Sequence, residues 1–90
     1  MKTAQEFREI AIKEMSTPDM VAAAKLIETL IFDAINKGKN YVSLNTGYAT
    51  YRDLWDLAKG YDNLKTYLEL HGYTVKMSRF DDISFFTVSF

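Results

Sequence analysis

The residues that could take part in chemistry are few and scattered. His71 is the only histidine, and the chain has no cysteine. A histidine that acts as a general base needs an orienting partner and a pocket for its substrate, and the sequence indicates neither. His71 stands directly before Gly72 in a helical pattern, where its side chain interacts favourably with the helix dipole. We therefore interpret His71 as a residue that ends a helix.

The carboxylates do not have the spacing of a metal site. Asp53 and Asp56 fall on one helical face, and Asp62 follows them closely in the sequence. Calcium sites usually gather several oxygens on one loop with a defined spacing, and this segment lacks that spacing. A solvated helix face is the interpretation that we prefer. Asp81-Asp82, between two strand patterns, is typical of a turn.

No catalytic motif is present. Neither a G-x-S-x-G nor an S-x-x-K pattern occurs to activate a serine. The four glycines, at positions 38, 47, 60 and 72, are too dispersed for a phosphate-binding loop. We predict that the chain is not an enzyme and has no catalytic, cofactor-binding or metal-binding residues. A small hydrolase or a binder of a nucleotide signal stays an alternative, because a pocket cannot be read from sequence.

Aromatic residues are concentrated in one short segment. Tyrosine and tryptophan are enriched at the centres of protein interfaces, and they stack on single-stranded bases where basic residues lie between them. Only two basic residues lie between them here, which disfavours nucleic acid. Alternatively, these rings close a small core and keep their hydroxyl groups at the surface. The candidate interaction residues are Tyr48, Tyr51, Arg52, Trp55 and Tyr61.

The charges are balanced and interleaved. Eleven Lys and Arg stand against twelve Asp and Glu, which gives a net charge of −1. Nucleic-acid binders and membrane-surface helices usually carry a basic patch, and none is visible. The longest apolar stretch is interrupted by Lys25, Glu28 and Asp33, so we expect no membrane contact. The N-terminus lacks the apolar core of a signal peptide, and we expect a single intracellular domain over residues 1–90.

Local signals predict two helices at the start of the chain. Thr3 and Glu6 form a capping box that begins a helix over about residues 4–15. Pro18 ends that helix and suits the first position of the next. The second helix, about 18–37, has a broad apolar face and ends before a glycine.

A short strand and two further helices follow. We predict a short strand over 41–44, a helix over 51–58 capped by Thr50, and a helix over 62–71 capped by Asp62.

A hairpin is predicted at the end of the chain. Residues 73–78 alternate in polarity, so one face is buried, and residues 79–82 supply the reversal. Residues 83–90 are apolar on both faces, which favours a central strand or a covered edge. The fold class is therefore α+β, with helices first and a small sheet that includes the C-terminal hairpin.

The order of these elements resembles a winged helix. That fold runs helix, strand, two helices and a two-stranded wing, which matches the predicted order from residue 18 to 90. The resemblance implies that the helix over 62–71 enters the major groove of DNA. Here that helix carries two acids against one lysine, Lys65. The turn before it is Lys59-Gly60-Tyr61, which replaces the small residues usual at that place.

A second resemblance is to small tailed-phage proteins that end in a helix, a Gly-Tyr-x-Val strand and an Ile-Ser-aromatic strand. The segments that resemble them are 34–44, 70–75 and 81–85, within residues 25–90. The resemblance implies a phage origin, a non-enzymatic role, and a place in the host cytoplasm or the virion. It assigns no functional residues.

These observations favour a small binding or assembly protein that acts through contacts with another protein or with a second copy of itself. The aromatic segment, or an open edge of the terminal sheet, is the predicted contact. A winged-helix DNA-binding regulator is the alternative.

Overall fold

The computed structural model describes residues 1–90, and it has helices packed against one three-stranded antiparallel sheet. The predicted α+β class is confirmed. The elements are α1 (Ala4–Met15), α2 (Pro18–Asn36), β1 (Tyr41–Asn45), a short 3-10 helix (Ala49–Tyr51), α3 (Arg52–Ala58), α4 (Tyr61–Leu70), β2 (Thr74–Phe80) and β3 (Ile83–Ser89).

The first two helices begin where their capping residues predict. The Glu6 N–H donates to the Thr3 hydroxyl at 3.2 Å, and the Glu6 carboxylate accepts from the Thr3 N–H at 3.5 Å. The Thr17 hydroxyl accepts from the Met20 N–H at 3.1 Å, and Pro18 is the first residue of α2. These caps satisfy backbone donors that have no partner within the helix.

The caps predicted for the next two helices are wrong. Thr50 lies inside the 3-10 helix, and Tyr51 precedes α3 without a side-chain bond. Lys59 ends α3 in the left-handed region, with φ of 58°. Gly60 then has φ of 117°, which favours glycine, and α4 begins directly after it. Asp62 therefore lies in the first turn of α4 rather than at its cap. In the first turn, a carboxylate still complements the helix dipole.

The last strand lies in the middle of the sheet. The strand order is β1-β3-β2, with both neighbours antiparallel to β3, so the expectation of a central strand is confirmed. The side chains of Phe86 and Val88 on β3 are fully buried against the helices. The open edges of the sheet therefore belong to β1 and β2.

The reversal between β2 and β3 is shorter than predicted. Only Asp81 and Asp82 form the turn, with φ of 52° and 66°, while Phe80 and Ile83 pair across it. Two consecutive positive φ angles are typical of a type I′ turn, whose twist suits a hairpin. Arg79 and Phe80, which the sequence placed in the turn, instead extend β2 by two residues.

The core is small and lies between the sheet and helices α2, α3 and α4. It contains 16 buried residues, all apolar, and none of them belongs to α1. α1 packs on α4, where the Ser16 and Tyr67 hydroxyls lie 2.9 Å apart. In β2, the predicted buried face is reduced to Val75. Met77, on the same face, borders an open hollow beside the start of α4 and stays exposed.

Candidate protein-binding surface

Trp55 separates from the predicted aromatic surface. Its side chain is 8% exposed, and its ring lies edge-to-face against Phe86 and Tyr61 at centroid distances of 5.3 Å and 4.8 Å. The reason is its position on the face of α3 that also carries the buried Leu54 and Ala58. Trp55 therefore belongs to the core, as the alternative interpretation holds, and it offers no surface to a partner.

The other candidates occupy two places. Tyr48 is 59% exposed and stacks on the half-buried Tyr51, with ring centroids 6.2 Å apart. Arg52, which follows them, is exposed and makes no salt bridge. Tyr61 covers the edge of Trp55 and remains 37% exposed. The structure thus divides the aromatic segment into a stacked pair, Tyr48 and Tyr51, and an edge-to-face pair, Trp55 and Tyr61, of which the first is the more exposed.

The indole nitrogen of Trp55 has no hydrogen-bond partner. It is the one buried side-chain nitrogen or oxygen in the chain without one. An unsatisfied buried donor costs about 1–3 kcal/mol. The cost is offset because the ring itself removes a large apolar area from water.

The single histidine is exposed and lies at the end of a helix. His71 caps the C-terminus of α4, and its ring lies 4.8 Å from the ring of Tyr67. With Lys25 and Glu28 it borders an open groove of about 260 Å³ between α2 and α4. Lys25, Glu28 and His71 are all exposed, so their charged or polar ends face solvent rather than a closed pocket.

The carboxylates are also solvent-facing. Asp53, Asp56 and Asp62 are exposed, as predicted for a solvated helix face. No group of three metal-ligating side chains is clustered in the structure.

The most exposed aromatic side chain lies at the end of the β2–β3 hairpin. Phe80 is 76% exposed, and its cross-strand partner Ile83 is 42% exposed. Because Val75 faces the helices and side chains alternate along a strand, Phe80 lies on the outer face of the sheet. Its neighbours there are Ile83 and the half-buried Phe85. Together with the turn, these residues form a surface that we call the hairpin end: Phe80, Asp81, Asp82, Ile83 and Phe85.

The turn gives the hairpin end an acidic tip. The Arg79 guanidinium lies 3.3 Å from the Asp82 carboxylate, and both side chains are largely exposed. Asp81 makes no salt bridge. The apolar pair is thus bordered by one paired and one unpaired carboxylate. The sequence does not predict this surface, because residues 79–82 together resemble a four-residue turn that includes Phe80.

Two helices also expose apolar side chains. Phe32 and Ile35 of α2 are 66% and 51% exposed, and Phe7 and Ile10 of α1 are 56% and 41% exposed. In each pair the residues are three apart and lie on one side of their helix. Both pairs lie on helices rather than at a hairpin turn.

Comparisons with protein-family models, curated proteins and solved structures found no match to this chain. None of the helices has both the length and the apolar composition needed to cross a membrane.

Proposed function

We propose that this chain is a non-enzymatic protein-binding module and that the hairpin end is its contact surface. The observation that carries the proposal is the pairing of Phe80 with Ile83 across the turn, with both side chains facing solvent. Burying an aromatic or branched side chain that is otherwise exposed contributes about 1.5–3 kcal/mol. Two such residues side by side supply the apolar anchor that protein interfaces use.

The hairpin also limits the entropic cost of binding. Phe80 and Ile83 lie in a continuous β-ladder closed by a two-residue turn. Their backbone is therefore already ordered before a partner arrives, and a preorganised surface loses less freedom on association.

The acidic turn indicates the chemistry of the partner. A protein that receives Phe80 and Ile83 brings its surface close to Asp81 and Asp82. Lys or Arg at the rim of an apolar pocket would form charge-assisted hydrogen bonds with these carboxylates. Phosphate groups of nucleic acid or anionic lipid would instead be repelled. We therefore propose a protein partner with an apolar pocket and a basic rim.

Two matched variants test this surface. Phe80→Ser removes the aromatic ring from the hairpin end, while Phe32→Ser makes the same change at a similarly exposed position on α2. A nuclease-treated pull-down with the wild-type chain identifies the partner, and calorimetry measures its affinity for each variant. We expect Phe80→Ser to weaken binding at least about tenfold, which corresponds to 1.4 kcal/mol, and Phe32→Ser to leave affinity unchanged. Equal affinities for wild type and Phe80→Ser would contradict the proposal.

A winged-helix DNA-binding regulator is the second candidate. The observation that favours it is the strand order β1-β3-β2, in which the strand after α2 joins the C-terminal hairpin to form one sheet. α4 would then be the helix that enters the major groove. Its exposed residues include Asp62 and Glu69, which face phosphate unfavourably.

A gel shift at two salt concentrations separates the two candidates. We expect no shift with duplex DNA even at low salt. A shift whose affinity falls steeply with salt would instead favour the winged-helix function, because counterion release dominates DNA binding.

A tailed-phage origin is part of the same proposal. It is supported by the resemblance of residues 25–90 to small phage proteins. A role in the host cytoplasm or in the virion is compatible with a protein-binding hairpin. Mass spectrometry of purified virions would distinguish the two places.

A further inference from the structure

The longest open edge of the sheet is β2. Its seven residues pair with β3 in an unbroken register, without a bulge or a proline. β1, at the other edge, has only five residues, and each edge strand contacts one helix, β1 with α2 and β2 with α4. Natural proteins usually block an exposed edge with bulges, prolines or a covering element. β2 has only the charged side chains of Lys76 and Arg79 for this purpose.

Three residues of β2 direct their backbone groups away from the sheet. Phe80 and Ile83 flank the two-residue turn and form a hydrogen-bonded pair, and such pairs alternate along an antiparallel ladder. The N–H and C=O groups of Val75, Met77 and Arg79 therefore point outward. None of the backbone hydrogen bonds found outside the helices and strands involves these three residues.

A row of apolar side chains on the inner face of the sheet stops at this edge. Leu44, Phe86 and Met77 lie next to one another on the three strands. Leu44 is 1% exposed and Phe86 is fully buried, whereas Met77 is 41% exposed. An apolar side chain on a further strand would continue the row and cover Met77.

We propose that two copies of this chain pair through β2, antiparallel to each other, about a twofold axis beside Met77. In this register Met77 lies opposite Met77 of the second copy, so each copy supplies the side chain that the other one's row lacks. Val75 lies opposite Arg79 of the second copy, and Lys76 lies opposite Ser78. Like charges directly opposite each other would be destabilising, and this register places none in that position. The result is one six-stranded sheet across a symmetric dimer.

This self-complementarity favours a second copy of the chain over a strand of a different protein as the partner of β2. An edge that pairs antiparallel with itself satisfies the outward N–H and C=O groups of Val75, Met77 and Arg79 in both chains. The two hairpin ends then lie at opposite ends of the joint sheet. The dimer thus goes beyond the proposed function, since it makes the module bivalent.

Hydrogen exchange and sedimentation of the full chain test the dimer together. We expect a dimer in which the amides of Val75, Met77 and Arg79 exchange slowly, in addition to those of Lys76 and Ser78, which bond to β3. On dilution to the monomer, the amides of Val75, Met77 and Arg79 should lose protection, while those of Lys76 and Ser78 should keep it. A monomer at all concentrations, or a dimer in which these three amides exchange rapidly, would overturn the proposal.

Variants at the axis give an independent test. Met77→Asp places two carboxylates opposite each other, and we expect the dimer dissociation constant to rise at least tenfold. Met77→Leu, the matched control, should keep the dimer. Ile83→Ser removes the other apolar side chain of the hairpin end from β3 rather than from the paired edge, so it should weaken partner binding and leave the dimer intact. Met77→Asp should leave the affinity of one chain for the protein partner unchanged, so that failure of one proposal is distinguishable from failure of the other. An unchanged dimer in Met77→Asp would contradict pairing at this edge.

Discussion

In this small core, single residues combine the gain from burying apolar area with the cost of burying an unpaired polar group. Trp55 is the clearest case. Its ring fills the space between α3, α4 and β3, while its Nε1 donor is left without a partner. Sequence spacing placed Trp55 correctly on a helix. It could not show which aromatic residues of that segment turn inward, because the choice depends on the position of Phe86 about thirty residues later in the chain.

Replacing Trp55 separates these two contributions. Trp55→Ala should lower the free energy of unfolding by about 3–5 kcal/mol, because it leaves a large cavity. Trp55→Phe keeps an aromatic ring and removes the unpaired donor, which recovers about 1–3 kcal/mol of desolvation cost. We therefore expect Trp55→Phe to cost much less than Trp55→Ala in urea unfolding. Similar losses for both would mean that Nε1 has a hydrogen-bond partner, such as a bound water.

At the scale of elements, the two N-terminal helices have similar caps and different roles in stability. α1 has no buried residue, whereas α2 contributes five residues to the core. The unfolding of α1 should therefore be a local event, while the unfolding of α2 requires the whole core to open.

Two cap variants measure this difference. Thr3→Ala and Thr17→Ala each remove a hydroxyl that accepts from a backbone N–H of the first turn. Such a loss typically costs about 1 kcal/mol. For Thr17→Ala we expect that loss in the global free energy of unfolding, measured by urea denaturation. For Thr3→Ala we expect faster amide exchange in α1 and an unchanged global value. Equal global losses would contradict the weak docking of α1.

The elements also show how far sequence reasoning extends. α1, α2 and the central position of β3 were predictable, because capping residues and two-sided apolar character are local signals. The hairpin end was not predictable, because Asp81 and Asp82 both adopt positive φ angles that neither residue requires. A two-residue turn there returns Phe80 to the ladder and exposes it. The start of α4 was missed for a similar reason, since Gly60 replaces a side-chain cap.

In the whole molecule, the sheet has one largely covered face and two borders to which we assign contacts. The helices cover most of its inner face, the hairpin end lies at one end, and the edge of β2 runs along one side. In the proposed dimer Phe80 lies opposite Thr74 of the second copy, while Asp81, Asp82 and Ile83 lie outside the paired edge. Each dimer therefore presents two hairpin ends, one at each end of the joint sheet, to two partner molecules or to two sites on one assembly. Linking two contacts raises the apparent affinity for a repeated surface without any new interaction. This bivalency is what connects the proposed dimer to the proposed assembly role.

The charge of the whole molecule makes the rate of partner binding a further test. With a net charge of −1, the chain has little overall field, so the acidic turn dominates steering near the hairpin end. Asp81→Asn should lower the association rate constant by a factor of about two to five at low salt, and the effect should shrink as salt screens the charge. Asp53→Asn changes the net charge equally at an exposed position on α3, and stopped-flow kinetics should show no such effect. A change confined to the dissociation rate of Asp81→Asn would mean that Asp81 is buried in the complex, which would place the acidic turn inside the contact rather than at its rim.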